Sequence, residues 1–286
     1  ARGGRGRGGH RAVSVDAAAV APAEAHTFHQ QPVAQIRVLA RRSVLATLRQ
    51  PPDWFPAILF PLLLAAVNAS AFNRATGLPG FPEVDSFLDF LLPASMIQGV
   101  MFGAVAGGSD IALDIEDGFF ERLLASPIWR PSILIGRLAG GAVLGAIQAV
   151  LFITVFSIFG ARVHSGLPGL VTLVLLAMVM AIAIGGVTAA VGVRTGSQET
   201  VQNSFPLIFI LLFLSSAFFP TELMTGWYQT MAEANPITWV IDAARQLVIA
   251  EWSWREAGIA LGTASVLAVA TVALAARQLR IRLADS

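Results

Sequence analysis

The chain has 286 residues, 55% hydrophobic and only 13% charged, with a mean hydropathy of +0.69, where a soluble domain of that length would carry about 25% charge. Cysteine is absent and all nineteen basic residues are arginine. The composition therefore indicates a membrane protein without disulfides or cysteine metal sites, and it excludes an ordinary P-loop, whose lysine must reach the β and γ phosphates of a nucleotide.

Residues 1–35 open with ARGGRGRGGHRAV and hold too little apolar surface to fold alone. They are expected to form a disordered basic tail. No apolar core long enough for a signal peptide follows the arginines. The tail suits anionic lipid at the cytoplasmic membrane face rather than nucleic acid. His26 and His29 have ligand spacing but no third ligand nearby, so no metal site is expected.

Residues 36–49, IRVLARRSVLATLR, predict a helix that stops before Pro51 and Pro52. Arg37, Arg41, Arg42 and Arg49 fall within about 140° on a helical wheel. Val38, Leu45 and Leu48 lie among them, so the amphipathicity is imperfect, and an interfacial helix with snorkelling arginines is expected.

Six apolar segments follow: 54–72, 87–108, 133–160, 170–193, 201–219 and 257–276. A helix spans the hydrocarbon core with about 20 residues, so all six read as spans of an all-α polytopic domain over residues 36–286. With the N-terminus inside, fifteen arginines fall on the cytoplasmic side and only Arg74, Arg162, Arg245 and Arg255 outside. Both termini are then cytoplasmic. Gly99, Gly103 and Gly107 line one face of span two, and small residues at that spacing let helices approach closely. They suit packing within the subunit or a dimer seam.

Between spans two and three, Ser109 to Arg137 holds five of the eighteen acidic residues. If this elbow is helical, Asp110, Asp114, Asp117 and Glu121 form a narrow stripe at spacings of four, three and four. Acidic charge beside a span suits a basic protein surface better than anionic headgroups. The elbow is therefore expected to dock a partner.

Between spans five and six, residues 220–256 hold four of the six tryptophans and the sole tyrosine, as in an aromatic belt. Within this stretch, 237–250 is apolar but too short to span, which predicts a re-entrant or interfacial helix. Asn235 supplies an N-cap and Pro236 a first helical residue. Asp242 and Arg245 lie one turn apart, near Trp239, and are expected to pair.

Catalytic groups are scarce. No histidine lies in a span, and Asp89 and Asp242 make no acid/base pair that spacing can identify. Gln98, Gln148, Thr154 and Thr188 could bond across helices or contact a substrate. So few intramembrane charges argue against a proton-coupled carrier, and no filter-like sequence suggests an ion channel.

The run Glu116, Asp117, Gly118, Glu121, Arg122, Leu123, Leu124, Ser126, Pro127, Ile135 and Gly136 resembles the elbow of ABC-2 type permeases, the membrane subunits of ATP-binding cassette exporters. SSAFFP at 215–220 and NPITWVIDAARQL at 235–247 extend the resemblance, which covers roughly residues 30–282 and is closest in look to the daunorubicin-resistance and the polysaccharide or nodulation exporter branches. It implies that Asp114, Glu116, Asp117, Gly118, Glu121, Arg122, Leu123, Ser126 and Pro127 form a coupling helix in a groove of a separate ATPase. It also implies an outer hairpin carrying Asn235, Pro236, Trp239, Asp242 and Arg245. The implied protein is non-catalytic, with ATP and Mg on the ATPase subunit, a second permease copy or homologue, and an amphipathic substrate in a bacterial inner membrane. The alternative is a non-ABC membrane protein, either a secondary transporter or an enzyme working through Asp89 or Asp242.

Overall fold

The computed structural model describes residues 32–49, 51–125 and 129–285, and within them every regular element is helical. The helices are α1 (Pro32–Leu48), α2 (Pro51–Phe72), α3 (Phe87–Glu116), α4 (Phe119–Ala125), α5 (Pro131–Ile158), α6 (Gly166–Thr195), α7 (Gln198–Phe213), α8 (Gly226–Ala234), α9 (Pro236–Ile249) and α10 (Trp254–Asp285). The first helix starts at Pro32, four residues before the expected helix at 36. Of the remaining tail, residues 1–31 lie outside the described residues.

Local chemistry sets several boundaries. Ser86 and Asp89 form a reciprocal capping box at the start of α3. Gly196, at φ 62°, ends α6 in the left-handed conformation that glycine adopts without steric cost, and Ser197 caps α7 directly after it. Asn235 accepts the N–H of Ile237 at 2.9 Å ahead of Pro236, so α9 begins where its Asn-Pro pair predicts.

Five helices, α2, α3, α5, α6 and α10, are long and apolar enough to cross a membrane. The fifth apolar run differs from the expectation of a span over 201–219. Its helix, α7, has 16 residues with Pro206 inside and stops at Phe213, a length of about 24 Å against a core of about 30 Å. The carbonyls at its end are taken by side chains instead of by further helix. Asn235 Nδ2 donates to Leu211 O at 2.6 Å and Leu214 O at 2.7 Å, and Tyr228 OH donates to Phe213 O at 2.5 Å.

Helix α6 is the hub, packing against α10, α3 and α5, while α1 lies along α5 and α9 wedges between α3 and α10. Lipid is as apolar as leucine, so close backbone approach and interhelical hydrogen bonds must hold such a bundle. A Cβ on Gly136 or Gly140 would stand 2.6 Å or 2.7 Å from the Cβ of Leu39 or Ser43, which makes glycine necessary where α1 sits on α5. Thr188 on α6 donates to Ala104 O of α3 at 3.0 Å, and Gln148 on α5 donates to Gly99 O of α3 at 3.2 Å.

The face of Gly99, Gly103 and Gly107 is divided. Gly99 lies against Phe152 and Gly103 against Gln148, whereas a Cβ on Gly107 would meet nothing within 4 Å. The first two serve packing inside the subunit, and the third does not.

Candidate functional site

The elbow is not one helix. Helix α3 runs on to Glu116, Asp117 caps it, Gly118 turns the chain at φ 65°, and the short α4 follows. The N–H groups of Asp117 and Gly118 return to Leu113 O and Ile115 O at 2.9 Å and 3.0 Å, closing the last turn. The acidic stripe is therefore split between two helices that face differently. Its first two members point into the bundle.

Arg137 of α5 bonds both of them, Asp110 at 3.0 Å and Asp114 at closer range. Arg42 of α1 approaches Asp114 at 3.7 Å and lies 4.3 Å from the ring centre of Phe119. Arg137 and Asp114 are mostly enclosed, with 15% and 18% of their side chains exposed. A carboxylate held in this way joins α1, α3 and α5.

Glu116 is also occupied, accepting the N–H of Gln198 at the start of α7 at 2.9 Å. Arg122 donates to Gly118 O and Asp117 O, each at 3.3 Å, closing the end of α3 from the α4 side. Phe120 is buried, Leu123 is half-buried, and Asp117 and Arg122 are exposed. Glu121 falls on α4, though its side chain lies outside what is described, and Ser126 and Pro127 lie outside the described residues. Trp129, past the elbow, takes the side-chain oxygen of Gln35 on its N–H at 3.0 Å, so α1 touches both limbs of the elbow.

The opposite end of the bundle holds a second network. Arg245 on α9 is buried and donates to Phe90 O of α3 at 3.1 Å, Ser216 O at 2.7 Å and Asp242 at 2.6 Å. Its guanidinium stacks 3.7 Å from the ring centre of Phe90, adding a cation–π contact. Asp242 also accepts the hydroxyl of Ser216 at 2.5 Å. The pair inferred from spacing is therefore present, and it clamps the unwound 214–219 segment to the start of α3. Trp239 is exposed, and its indole N–H donates to Glu233 O at 2.9 Å.

Asp89 is buried and fully employed, accepting the N–H groups of Ser86 at 2.9 Å and Arg162 at 2.8 Å. His164 donates its N–H to Val248 O at 2.8 Å and lies 3.4 Å from Asp85. Among the described residues no group of three metal-ligating side chains converges.

Sequence reasoning missed Arg137, the shared partner of Asp110 and Asp114, because the pairing crosses a turn and no periodicity reports it. It also missed Phe90 and Ser216 as partners of Arg245. It missed Asp89 as a cap too, although Ser followed three residues later by an acid is the capping-box pattern.

The sequence that builds these two ends matches a known family. The ABC-2 type transporter family model covers residues 34–249. The daunorubicin resistance ABC transporter permease protein DrrB1 of Streptomyces coeruleorubidus is 27% identical over 238 residues, 82% of this chain and 83% of that protein. The inner membrane transport permease YadH of Escherichia coli K12 is 25% identical over 203 residues, 67% of this chain and 75% of that protein. With the family match running from α1 through α9, across the elbow and the Arg245 network alike, the chain belongs to the ABC-2 type transporter family.

Proposed function

We propose that the chain is the membrane-spanning permease subunit of an ATP-binding cassette exporter in a bacterial inner membrane. It works with a second permease copy or homologue and with separate ATPase subunits that bind ATP and Mg. The cargo is amphipathic: a drug, a lipid or a lipid-linked glycan. Family membership carries the reading, and the layout of the two ends supports it. One end presents an elbow whose exposed groups, Asp117 and Arg122, lie beyond the internally paired Asp110 and Asp114.

Helix α7 serves as the sixth crossing in this reading. It begins beside Glu116 at the elbow end and finishes beside Asn235 at the other, next to the segment that Arg245 ties to Phe90. An even number of crossings keeps both termini on the elbow side, the side richer in arginine. Helices α8 and α9 then form the outer hairpin that dips into the membrane.

The enzyme alternative loses ground because Asp89 and Asp242 are both committed to structural bonds. Coexpression with a candidate ATPase subunit tests the exporter reading. A retained nucleotide-binding subunit with ATP hydrolysis is expected. Failure to retain any such subunit, with transport that survives ATP depletion but stops with an uncoupler, would overturn it.

A further inference from the structure

Among the described residues, Gln98 is one of two buried side chains whose donor lacks a partner: its amide Nε2 meets no acceptor, and the residue is only 1% exposed. It lies midway along α3, the most enclosed of the five long apolar helices. An amide left unbonded inside an apolar bundle is costly, and a methionine of similar length would remove that cost. Gln148 and Thr188, by contrast, both bond across to α3.

An acceptor in a similar condition lies on α2. Pro61 stands inside that helix and has no N–H to give Ala57 O, one turn before it. Ala57 is buried, and its carbonyl lies against Gly99, the residue after Gln98: a Cβ on Gly99 would stand 3.2 Å from Ala57 O. Phe102, one turn on from Gln98 along the same face of α3, meets Phe60 of α2 with ring centres 5.5 Å apart. The Gln98 face is therefore turned toward α2. The unbonded amide and the carbonyl without its helical donor belong to one crossing.

The two sides of α3 are held differently at this level. Gln148 of α5 bonds Gly99 O at 3.2 Å, whereas α2 meets Gly99 where no side chain interlocks with it. Helices in contact through glycine lie close and can slide past one another, and packed helices shift by up to a turn between discrete arrangements.

We infer that Gln98 and Ala57 O are the two halves of a hydrogen bond made in a second arrangement of the bundle, reached when α2 slides along α3 by part of a helical turn. The arrangement seen here leaves both halves unmade. The other makes the bond and gives up part of the present packing, so the two lie close in free energy. Use of the slide to open and close a transport path rests on the exporter reading above, whereas the exchange between arrangements does not.

The full chain in nanodiscs carries the test, with a trifluoromethyl label on Ser70→Cys, an exposed position near the end of α2. Its fluorine spectrum should show two resonances in slow exchange. Gln98→Met, which removes the donor, and Pro61→Ala, which gives Ala57 O a helical N–H in place, should each lose the minor one. Each should also raise the melting temperature by about 2–4 °C. Combining them should change the spectrum no further.

With the ATPase subunit present, either substitution should slow ATP-driven transport by about fivefold or more. A parent chain without ATP-driven transport would sink the exporter reading and leave the spectra and melts to decide the slide. A fall in melting temperature at Gln98→Met would show an amide already bonded, through a trapped water, and would overturn the proposal. So would a single resonance in the parent, or a pair that survives both substitutions.

Discussion

Glu116, the last residue of α3, accepts the backbone N–H of Gln198, the first residue of α7, at 2.9 Å. A carboxylate there satisfies one of the unpaired N–H groups of a helix start and faces the positive end of its dipole. Ser197 accepts a second, from Thr200 at 3.3 Å. The elbow is thereby fastened to α7, whose far end meets Asn235.

Because this carboxylate is bonded to the start of α7, Glu116→Gln should lower thermal stability by only about 0.3–1 kcal/mol, the worth of a charge at an exposed helix start. Melting in detergent measures that loss. Retention of the ATPase subunit should stay within about twofold of the parent, since about 0.4 kcal/mol separates the two. A complex lost at Glu116→Gln would place the residue on the docking surface instead.

Charge reversal separates the two halves of the acidic run. Asp114→Arg would set a third guanidinium beside Arg42 and Arg137 and strand Arg137 without its nearest partner. Breaking a buried pair costs about 3–5 kcal/mol, so this variant should be poorly inserted and degraded. Asp117→Arg and Glu121→Arg should instead reach normal membrane levels and weaken ATPase retention by about tenfold or more. Blotting of membranes alongside affinity capture reads both. Normal capture with both variants would leave the elbow surface merely solvated.

Five of the six apolar runs and the helix start at Asn235 were legible because each is a local pattern: an apolar run of membrane length, or a cap and its first turn. The division of the elbow was less so. Gly118 stood in the sequence as the obvious helix end, but the spacing of Asp110, Asp114, Asp117 and Glu121 favoured one continuous stripe. What turned Asp110 and Asp114 inward is Arg137, on the next span. Pairings of that kind arise only once α3 and α5 lie side by side, and no single-helix periodicity contains them. The same holds for α7, which stops at Phe213 because Asn235 and Tyr228, more than a dozen residues later, claim its carbonyls.

The cysteine-free chain makes topology directly measurable. Arg74→Cys should react rapidly with an impermeant thiol reagent from outside, since that residue is exposed in the turn after α2. His164→Cys should react more slowly, because position 164 is partly covered by Asp85 and held to Val248. Arg194→Cys, exposed at the elbow end of α6, should react only after permeabilisation. Labelling of Arg194→Cys in intact cells would reverse the proposed orientation, and protection of His164→Cys together with Arg74→Cys would do the same.

Arg245 provides the most demanding test, because it holds four groups at once: Asp242, Ser216 O, Phe90 O and the Phe90 ring. Asp242 is less committed, with 41% of its side chain exposed. Asp242→Ala leaves Arg245 two carbonyl acceptors and an aromatic face, so a loss of about 1–2 kcal/mol is expected for one charged hydrogen bond. Arg245→Ala strands two buried carbonyls and a half-buried carboxylate together, and should cost about 3–5 kcal/mol, with reduced membrane abundance. The double alanine should then resemble Arg245→Ala with a small recovery, because it relieves only the stranded carboxylate. Arg245→Lys should rescue little, since an ammonium cannot address acceptors on both sides of a planar fork. Thermal melts of the four variants in one detergent supply the cycle. Equal losses for the two single alanines, with full recovery in the double, would mean that the ion pair alone matters and that the bonds to Phe90 and Ser216 contribute nothing to holding the 214–219 segment against α3.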